Sequence, residues 1–437
     1  MKQKVLYVVH GHPILRPGGA ERYALELYEA MRPSDQFEPI LVARLGTVGY
    51  IDPPRHPGAQ FTVVGGDPNQ YFILTEWDPW DQFLGTYREK TLYTTTIADF
   101  LRTFKPDLVH IQHTHFVGYD LLTLIRRMRP QVPIVYTLHE FLPICHRDGQ
   151  MVRTKDEALC GEATPRRCNE CFSHLSPQDF FLRKRFIQSH FSKVDLFIAP
   201  SRFLRDRYLD WGLPETQIRH VEHGFPPMAR VESGDRPKRN RFAFFGVLTI
   251  FKGMDVLLKA MERLGPNFDG HLSIHASGKI QMPDESEEVQ ADIDRLLATT
   301  PTVTFCGPYD HDRDMPRLMA ETDWIVIPSI WFENSPLVIA ESFQNGRPII
   351  CSDIGGMAEK VDDGVNGLHF SVGSPASLAE VMQRAATSTG LWDRLCAGIP
   401  PVRGIDDHVG ELTDIYSRLM AERASSGSGA VSPALAG

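Results

Sequence analysis

The sequence has no uninterrupted apolar run approaching the roughly 18 residues that a membrane-spanning helix needs. Its opening segment, MKQKVLYVVHG, carries a basic flank, but the apolar stretch is confined to residues 5–9. That is too short for the hydrophobic region of a secretory signal, and it reads as a first β-strand. The expected location is therefore the cytoplasm, with a peripheral contact at the inner face of the membrane left open. Disulfides are rare there, so the seven cysteines are expected as thiols or metal ligands. Basic charge is also scarce: 46 Lys and Arg stand against 55 Asp and Glu, a formal net charge of −9. A nucleic-acid partner is excluded on that ground, because such binding requires a basic footprint. No internal repeat of solenoid length is present either.

What remains is ordinary globular composition, 42% hydrophobic and 23% charged, in 437 residues, enough for two domains of about 150–200 residues each. Short β-branched runs alternate with amphipathic stretches, the pattern of βαβ units and parallel sheets, so the fold class is α/β. In the first half the strand candidates are residues 5–9, 38–43, 61–64, 108–111, 134–138 and 196–199, with helix candidates at 20–31, 95–104 and 118–128. Composition breaks at residues 226–240, a Pro- and Gly-containing linker. The second half restarts with RFAFFGVL and continues through HLSIHAS, TVTFCG, DWIVIPS and RPIICSD as further buried strands. Two doubly wound sheets are expected, a first domain over 1–228 and a second over 238–400, facing across a cleft at their carboxyl edges. Residues 405–423 form a last helix, and 424–437 read as a disordered tail. The aromatic-rich stretch 66–92, with Tyr71, Phe72, Trp77, Trp80, Phe83 and Tyr87, fits a loop packed on its own side chains, an acceptor platform or a membrane-facing patch.

The most informative segment is WFENSPLVIAESFQNG, residues 331–346. Ser335 suits an N-cap, Pro336 the first helical position and Gly346 the residue past the helix end. The free amides at Asn334, Ser335 and Leu337, around Pro336, would offer a positive dipole end to a diphosphate. Glu333 lies just before that cup, and Glu341 about 7.5 Å along the axis from Pro336. By themselves, two glutamates eight apart also fit a helix-face salt bridge.

With its flanking residues this segment resembles the family 4 retaining nucleotide-sugar glycosyltransferases, whose hallmark is Glu, seven residues, Glu at this place. The following RPIICSDIGGMAEKVDDGVNGLHF is similar to the same family's strand, Gly-Gly turn and closing turn. The resemblance covers about 400 residues and implies a GT-B fold, two Rossmann-like domains around a cleft. FFGVLTIFKGMDVLLKA is similar to the family's diphosphate-gripping segment: Lys252 matches its lysine, whereas Val247 stands where the family has arginine. RPGGAERYALELYEAM matches a Gly-Gly-x-Glu turn in which Gly18 and Gly19 would let backbone approach the donor phosphates. His139, ending IVYTLHE, matches a histidine near the reacting carbon, and His113 and His115 are weaker candidates for the acceptor side. In the implied reaction Glu333 positions the transferred hexose-type sugar, Glu341 the ribose, and Lys252 with the helix amides stabilises the leaving diphosphate. No catalytic metal is expected. The co-substrate is a nucleotide-diphosphate sugar, and the acceptor is a glycan, a lipid-linked or a small molecule. A nucleotide-sugar epimerase and a non-catalytic binding scaffold are the rival readings.

Cys145, Cys160, Cys168 and Cys171 fall within an insert at about 145–171 and end in Cys-x-x-Cys. They fit a structural zinc site, an iron–sulfur cluster, or unligated or redox-active thiols. Cys306, Cys351 and Cys396 read as core residues. Arg166, Arg167, Arg183 and Arg185 read as a solvated face.

Overall fold

A computed structural model describes residues 2–15, 18–46, 61–75, 79–231, 236–277 and 286–428. Among the described residues, ten strands lie in the first domain: β1 Gln3–Val9, β2 Phe37–Gly46, β3 Phe61–Val64, β4 Asp67–Thr75, the short pair β5 Trp80–Asp81 and β6 Thr86–Tyr87, β7 Leu108–Ile111, β8 Ile134–Thr137, β9 Leu196–Ala199 and β10 Ile218–His220. Eight of them form one sheet in the order β10-β9-β8-β7-β1-β2-β4-β3, and β5 pairs with β6. Strands β7, β8 and β9 are buried at every residue, which a parallel sheet covered by helices on both faces demands. Six strands follow: β11 Arg241–Val247, β12 His271–Ser277, β13 Val303–Gly307, β14 Trp324–Ile327, β15 Ile349–Ser352 and β16 Gly367–Phe370. They are all parallel, in the order β13-β12-β11-β14-β15-β16. The α/β expectation holds, and the second sheet has the strand order of a dinucleotide-binding fold.

Both sheets reverse direction of winding at one point. In the first it lies between β1 and β7, in the second between β11 and β14. There the connections leave the sheet on opposite faces, opening a crevice at the carboxyl ends where ligands bind.

The helix Ile405–Ser428 packs back on the first sheet. Leu412, Ile415, Tyr416 and Leu419 share a core cluster with Val5, Tyr7 and Tyr23. Tyr416 Oη lies 2.6 Å from His110 Nδ1, and His408 Nε2 lies 2.6 Å from Tyr23 Oη. The helix runs into 424–428, read above as tail; the remainder, 429–437, and Trp77 lie outside the described residues.

Other readings need correction. Much of the aromatic stretch 66–92 is a sheet strand, not a loop: β4 pairs with β2 in parallel and with β3 in antiparallel fashion. Trp80 and Tyr87 are core residues. The alternation was masked because both faces of β4 carry apolar side chains. Cys306 is exposed rather than core, because β13 is the sheet's edge strand, whereas Cys351 is fully buried.

Arg183 is not on a solvated face, although Arg166, Arg167 and Arg185 are exposed. Its guanidinium is buried and donates to Phe83 O at 2.7 Å, Leu142 O at 2.7 Å and Pro143 O at 2.8 Å. It thus ties the helix Pro177–Phe191 to the loop after β8 and to the β5–β6 hairpin. Replacing it with Met leaves three carbonyls without donors, at about 1–3 kcal/mol each. Arg183→Met is expected to lower the urea unfolding free energy by about 3 kcal/mol or more; a change under about 0.5 kcal/mol contradicts that role.

Candidate active site

After β11 the chain makes a short turn, Ile250–Lys252, and enters a helix at Gly253, whose φ is +70°. A Cβ at Gly253 would overlap the carbonyl oxygen of Pro328, so the loop after β11 lies directly on the loop after β14. This contact brings Lys252 Nζ to 2.5 Å from Glu333 Oε1. The same oxygen accepts from Ser329 Oγ at 2.8 Å and Trp331 Nε1 at 2.9 Å. No hydrogen bond reaches Glu333 Oε2 among the described residues. The Gly355–Gly356 turn locks the loop from the other side. Gly356 N donates to Glu333 O at 2.8 Å, and a Cβ there would overlap Asn334 O.

The helix expected from Ser335 begins one residue later, at Leu337–Gln344, with Pro336 as N-cap and no side chain capping it. Ser335 is therefore not the cap: Pro336 holds extended ψ and sets the first turn after itself. At the other end Gly346 adopts φ +65°, with Gly346 N bonded to Phe343 O and Arg347 N to Ser342 O, a Schellman closure. Glu341 points out of this helix to His311 Nε2 at 2.6 Å. His311 was missed in the sequence, where nothing in HDRDMP marks it. Although burial lowers its basicity, the Glu341 carboxylate more than offsets this and raises its pKa above the ordinary value. Arg22, from the first domain's Gly19–Met31 helix, reaches Asp312 at 2.6 Å beside this pair.

Gly19 faces Leu337 across the cleft, where a Cβ would be 3.8 Å from the leucine Cγ. Gly18 is the tighter position, since a Cβ there would overlap the Glu21 carboxylate. That carboxylate lies 3.1 Å from His10 Nε2. The side chain of Asn334 serves the domain contact: it meets Ser201 Oγ at 2.7 Å and donates to Leu138 O and His139 O, each at 3.4 Å. Glu359 of the second domain accepts from the amides of Arg202 and Phe203, capping a first-domain helix.

His139 sits at the end of β8 with Nε2 3.0 Å from Gln112 Oε1, and packs against Tyr23 and His223. Burial pulls its pKa down to about 3, with a smaller push from His10. His113 and His115 follow β7 and lie with His10 at the first sheet's switch point, His10 and His113 being 4.0 Å apart between ring centroids. Glu140 Oε1 is 3.4 Å from His113 Nε2, and desolvation pushes its carboxyl up to about 8.

Cys145, Cys160, Cys168 and Cys171 are half-buried free thiols. Among the described residues no group of three or more His, Cys, Asp or Glu is placed to hold a metal ion, so the zinc reading gains no ligand set. Burial pushes Cys145 up to about 11 and Cys168 up to about 12, the protonated state of a packed thiol. Within the insert the Arg147 guanidinium lies 5.2 Å from the centroid of the Phe251 ring and pairs with Glu157 at 3.1 Å.

Two family models cover most of the chain, Glycosyltransferase Family 4 over residues 17–227 and Glycosyl transferases group 1 over 239–388. A D-inositol 3-phosphate glycosyltransferase of Mycolicibacterium vanbaalenii is 31% identical over 346 residues, 72% of each chain. The chain belongs to glycosyltransferase family 4. An uncharacterized glycosyltransferase of Methanocaldococcus jannaschii is 27% identical, with 79% of this chain and 80% of that one aligned. Among solved structures, sucrose-phosphate synthase from Thermosynechococcus elongatus superposes with a TM-score of 0.67 at 17% identity, over 96% of this chain and 100% of that one. Anabaena HepE in complex with UDP and glucose gives 0.63 at 16%, over 95% and 99%. The family 4 glycosyltransferase thus has the GT-B fold, and neither the epimerase nor the scaffold reading is favoured. Among its described residues no helix is long and apolar enough to cross a membrane.

The raised pKa of His311 fixes the sign of a pH effect. Its contribution to stability is complete below about 6.5, its ordinary value, and is lost as pH rises through the higher folded value. The difference in melting temperature between the native glycosyltransferase and His311→Gln is expected to shrink from pH 6 to pH 8.5. A constant or growing difference refutes the pairing with Glu341.

Proposed function

We propose that this glycosyltransferase takes a hexose-type sugar from a nucleoside-diphosphate donor and transfers it, with retention of anomeric configuration, to a hydroxyl acceptor. The observation that carries the reading is the convergence at the β11–β14 switch point. Lys252, an uncapped helix N-terminus and a carboxylate with one oxygen fixed and the other open meet there. A complex of HepE with UDP-glucose supports the donor class.

In this reading the bond between the anomeric carbon and the diphosphate breaks, and the acceptor oxygen attacks from the same face. Charge accumulates on the leaving diphosphate, where Lys252 and the amides at the start of Leu337–Gln344 are already oriented, so little reorganisation is required. Glu333, through Oε2, holds the sugar hydroxyls, and Glu341 takes the ribose. Ser335, Pro336 and Leu337 form the cup, with Gly18 and Gly19 lining it from the first domain. With Gln112 Oε1 accepting from Nε2, neutral His139 presents Nδ1 as an acceptor near the reacting carbon. Arg147 supplies the second cation that Val247 does not. A lysine, an arginine and helix amides then do the work of a cation, so no metal is required.

Four measurements test this. A thermal-shift screen against nucleoside diphosphates should give a stabilisation with at least one base. The shift should be lost in Glu341→Ala; no shift with any base removes the donor reading. Glu333→Ala should abolish transfer while the variant still melts cooperatively, and near-normal turnover refutes the site. Arg147→Met should raise the donor KM about tenfold, the loss of one charge-assisted contact, and an unchanged KM returns the diphosphate to Lys252 alone. Retention itself is read from the anomeric coupling of the product by NMR.

A further inference from the structure

At the carboxyl edge of the first sheet, close to the His10, His113 and His115 cluster, a guanidinium stands with no acid beside it among the described residues. Arg44 is the third-last residue of β2, and its Nε donates to Thr75 Oγ1 at 2.8 Å. Its guanidinium lies 4.3 Å from the ring centroid of Phe116, on which the His115 ring also stacks at 3.8 Å. Among the described residues it has no ion pair with a carboxylate, and its Nη2 is buried with no hydrogen-bond partner. His115 Nε2, His10 Nδ1 and Gln112 Nε2 are buried and unpartnered in the same way. Four orphaned polar atoms along one sheet edge is a large number for a folded protein, since such groups are almost always paired. A desolvated cation among them favours a binding site awaiting an anion.

The acidic groups facing the cluster do not fill that role. Glu21 is held 3.1 Å from His10 Nε2. Glu140 lies against His113, and desolvation pushes its carboxyl up toward the protonated form. Burial also pulls His115 down to about 3, so its ring is a neutral hydrogen-bonding group at physiological pH, and among the described residues Arg44 is the cation facing it.

We propose that Arg44, with His115 and His10, forms an anion subsite for the acceptor, so that the accepting molecule is a hydroxyl compound bearing a phosphate monoester or a carboxylate. This rests on the glycosyltransferase reading of the cleft, in which the donor occupies the β11–β14 edge and the acceptor the opposing first-domain edge. The subsite would anchor the acceptor by its charge at the β2 end of the sheet and leave a hydroxyl free to extend past the His10–His113 rings toward His139.

The test uses the full chain with the donor site saturated by the nucleoside diphosphate that stabilises it most. Inorganic phosphate and, in a separate arm, acetate are then titrated at constant ionic strength while the melting temperature is followed. A saturable rise with either probe is expected, with the apparent Kd raised about tenfold or more in Arg44→Gln, as loss of a charge-assisted pair implies, and partly restored in Arg44→Lys. Response to phosphate alone identifies a phosphate monoester, and response to acetate alone a carboxylate. No saturable rise with either probe, or an equal rise in Arg44→Gln, overturns the subsite. The shift with nucleoside diphosphate is read separately in each variant. Its absence from the native protein, with the Arg44-dependent anion response intact, would count against the donor reading and not against the subsite.

Discussion

The second domain's half of the cleft depends on two places where backbone meets backbone with no room for a side chain. Gly253 sits against Pro328, and Gly356 against Asn334. These contacts hold the loops after β11 and β14 together and leave the Lys252–Glu333 pair little freedom of position. Because the constraint is steric, it operates before any ligand arrives. Preorganisation of this kind is what lets charges act on a leaving group without first being moved. The three donors converging on one oxygen of Glu333 extend the same logic to a single carboxylate, fixing its rotation and presenting its second oxygen.

The two domains are joined by polar contacts close to the site. Asn334 follows Glu333 directly and bonds to Ser201 and to the backbone at the end of β8, one residue from which His139 projects. Glu359, three residues beyond Gly356, caps the helix Arg202–Trp211. A relative displacement of the domains therefore acts first on the segment carrying Glu333. The closing contacts and the chemistry share residues, and this couples cleft geometry to the position of the carboxylate.

Much of this was legible in the sequence, and the exceptions have physical causes. Five of the second sheet's strands could be read because a covered parallel strand is a plain apolar run, whereas β16 lay hidden in GLHF, read as part of a closing turn; WFENSPLVIAESFQNG stood out because its turn and charged residues are local. β4 was lost because its own alternation is weak, although its antiparallel partner β3 lies just before it across the Gly65–Gly66 turn. Arg183 was misread because an arginine that serves three backbone carbonyls looks, in sequence, like one that serves water. His311 and Arg44 carry no local signal at all: one is defined by a glutamate on another helix, the other by the lack of an acidic partner among the described residues. Of the readings the four cysteines allowed, that of unligated thiols is the one their burial favours, and among the described residues no group is placed to hold a metal ion.

The return of the last helix to the first sheet bears on how the chain is made. Leu412, Ile415, Tyr416 and Leu419 complete a core whose other members come mainly from the strands of the first sheet and the Gly19–Met31 helix. During synthesis the first domain emerges with that face uncovered, and it stays so while the entire second domain is translated, roughly ten seconds or more at ordinary ribosomal rates. The protein must therefore fold out of order, its second domain able to finish before its first. Over that interval the unpaired hydroxyl of Tyr23, the ring of His110 and the apolar surface beside them are what a chaperone would meet.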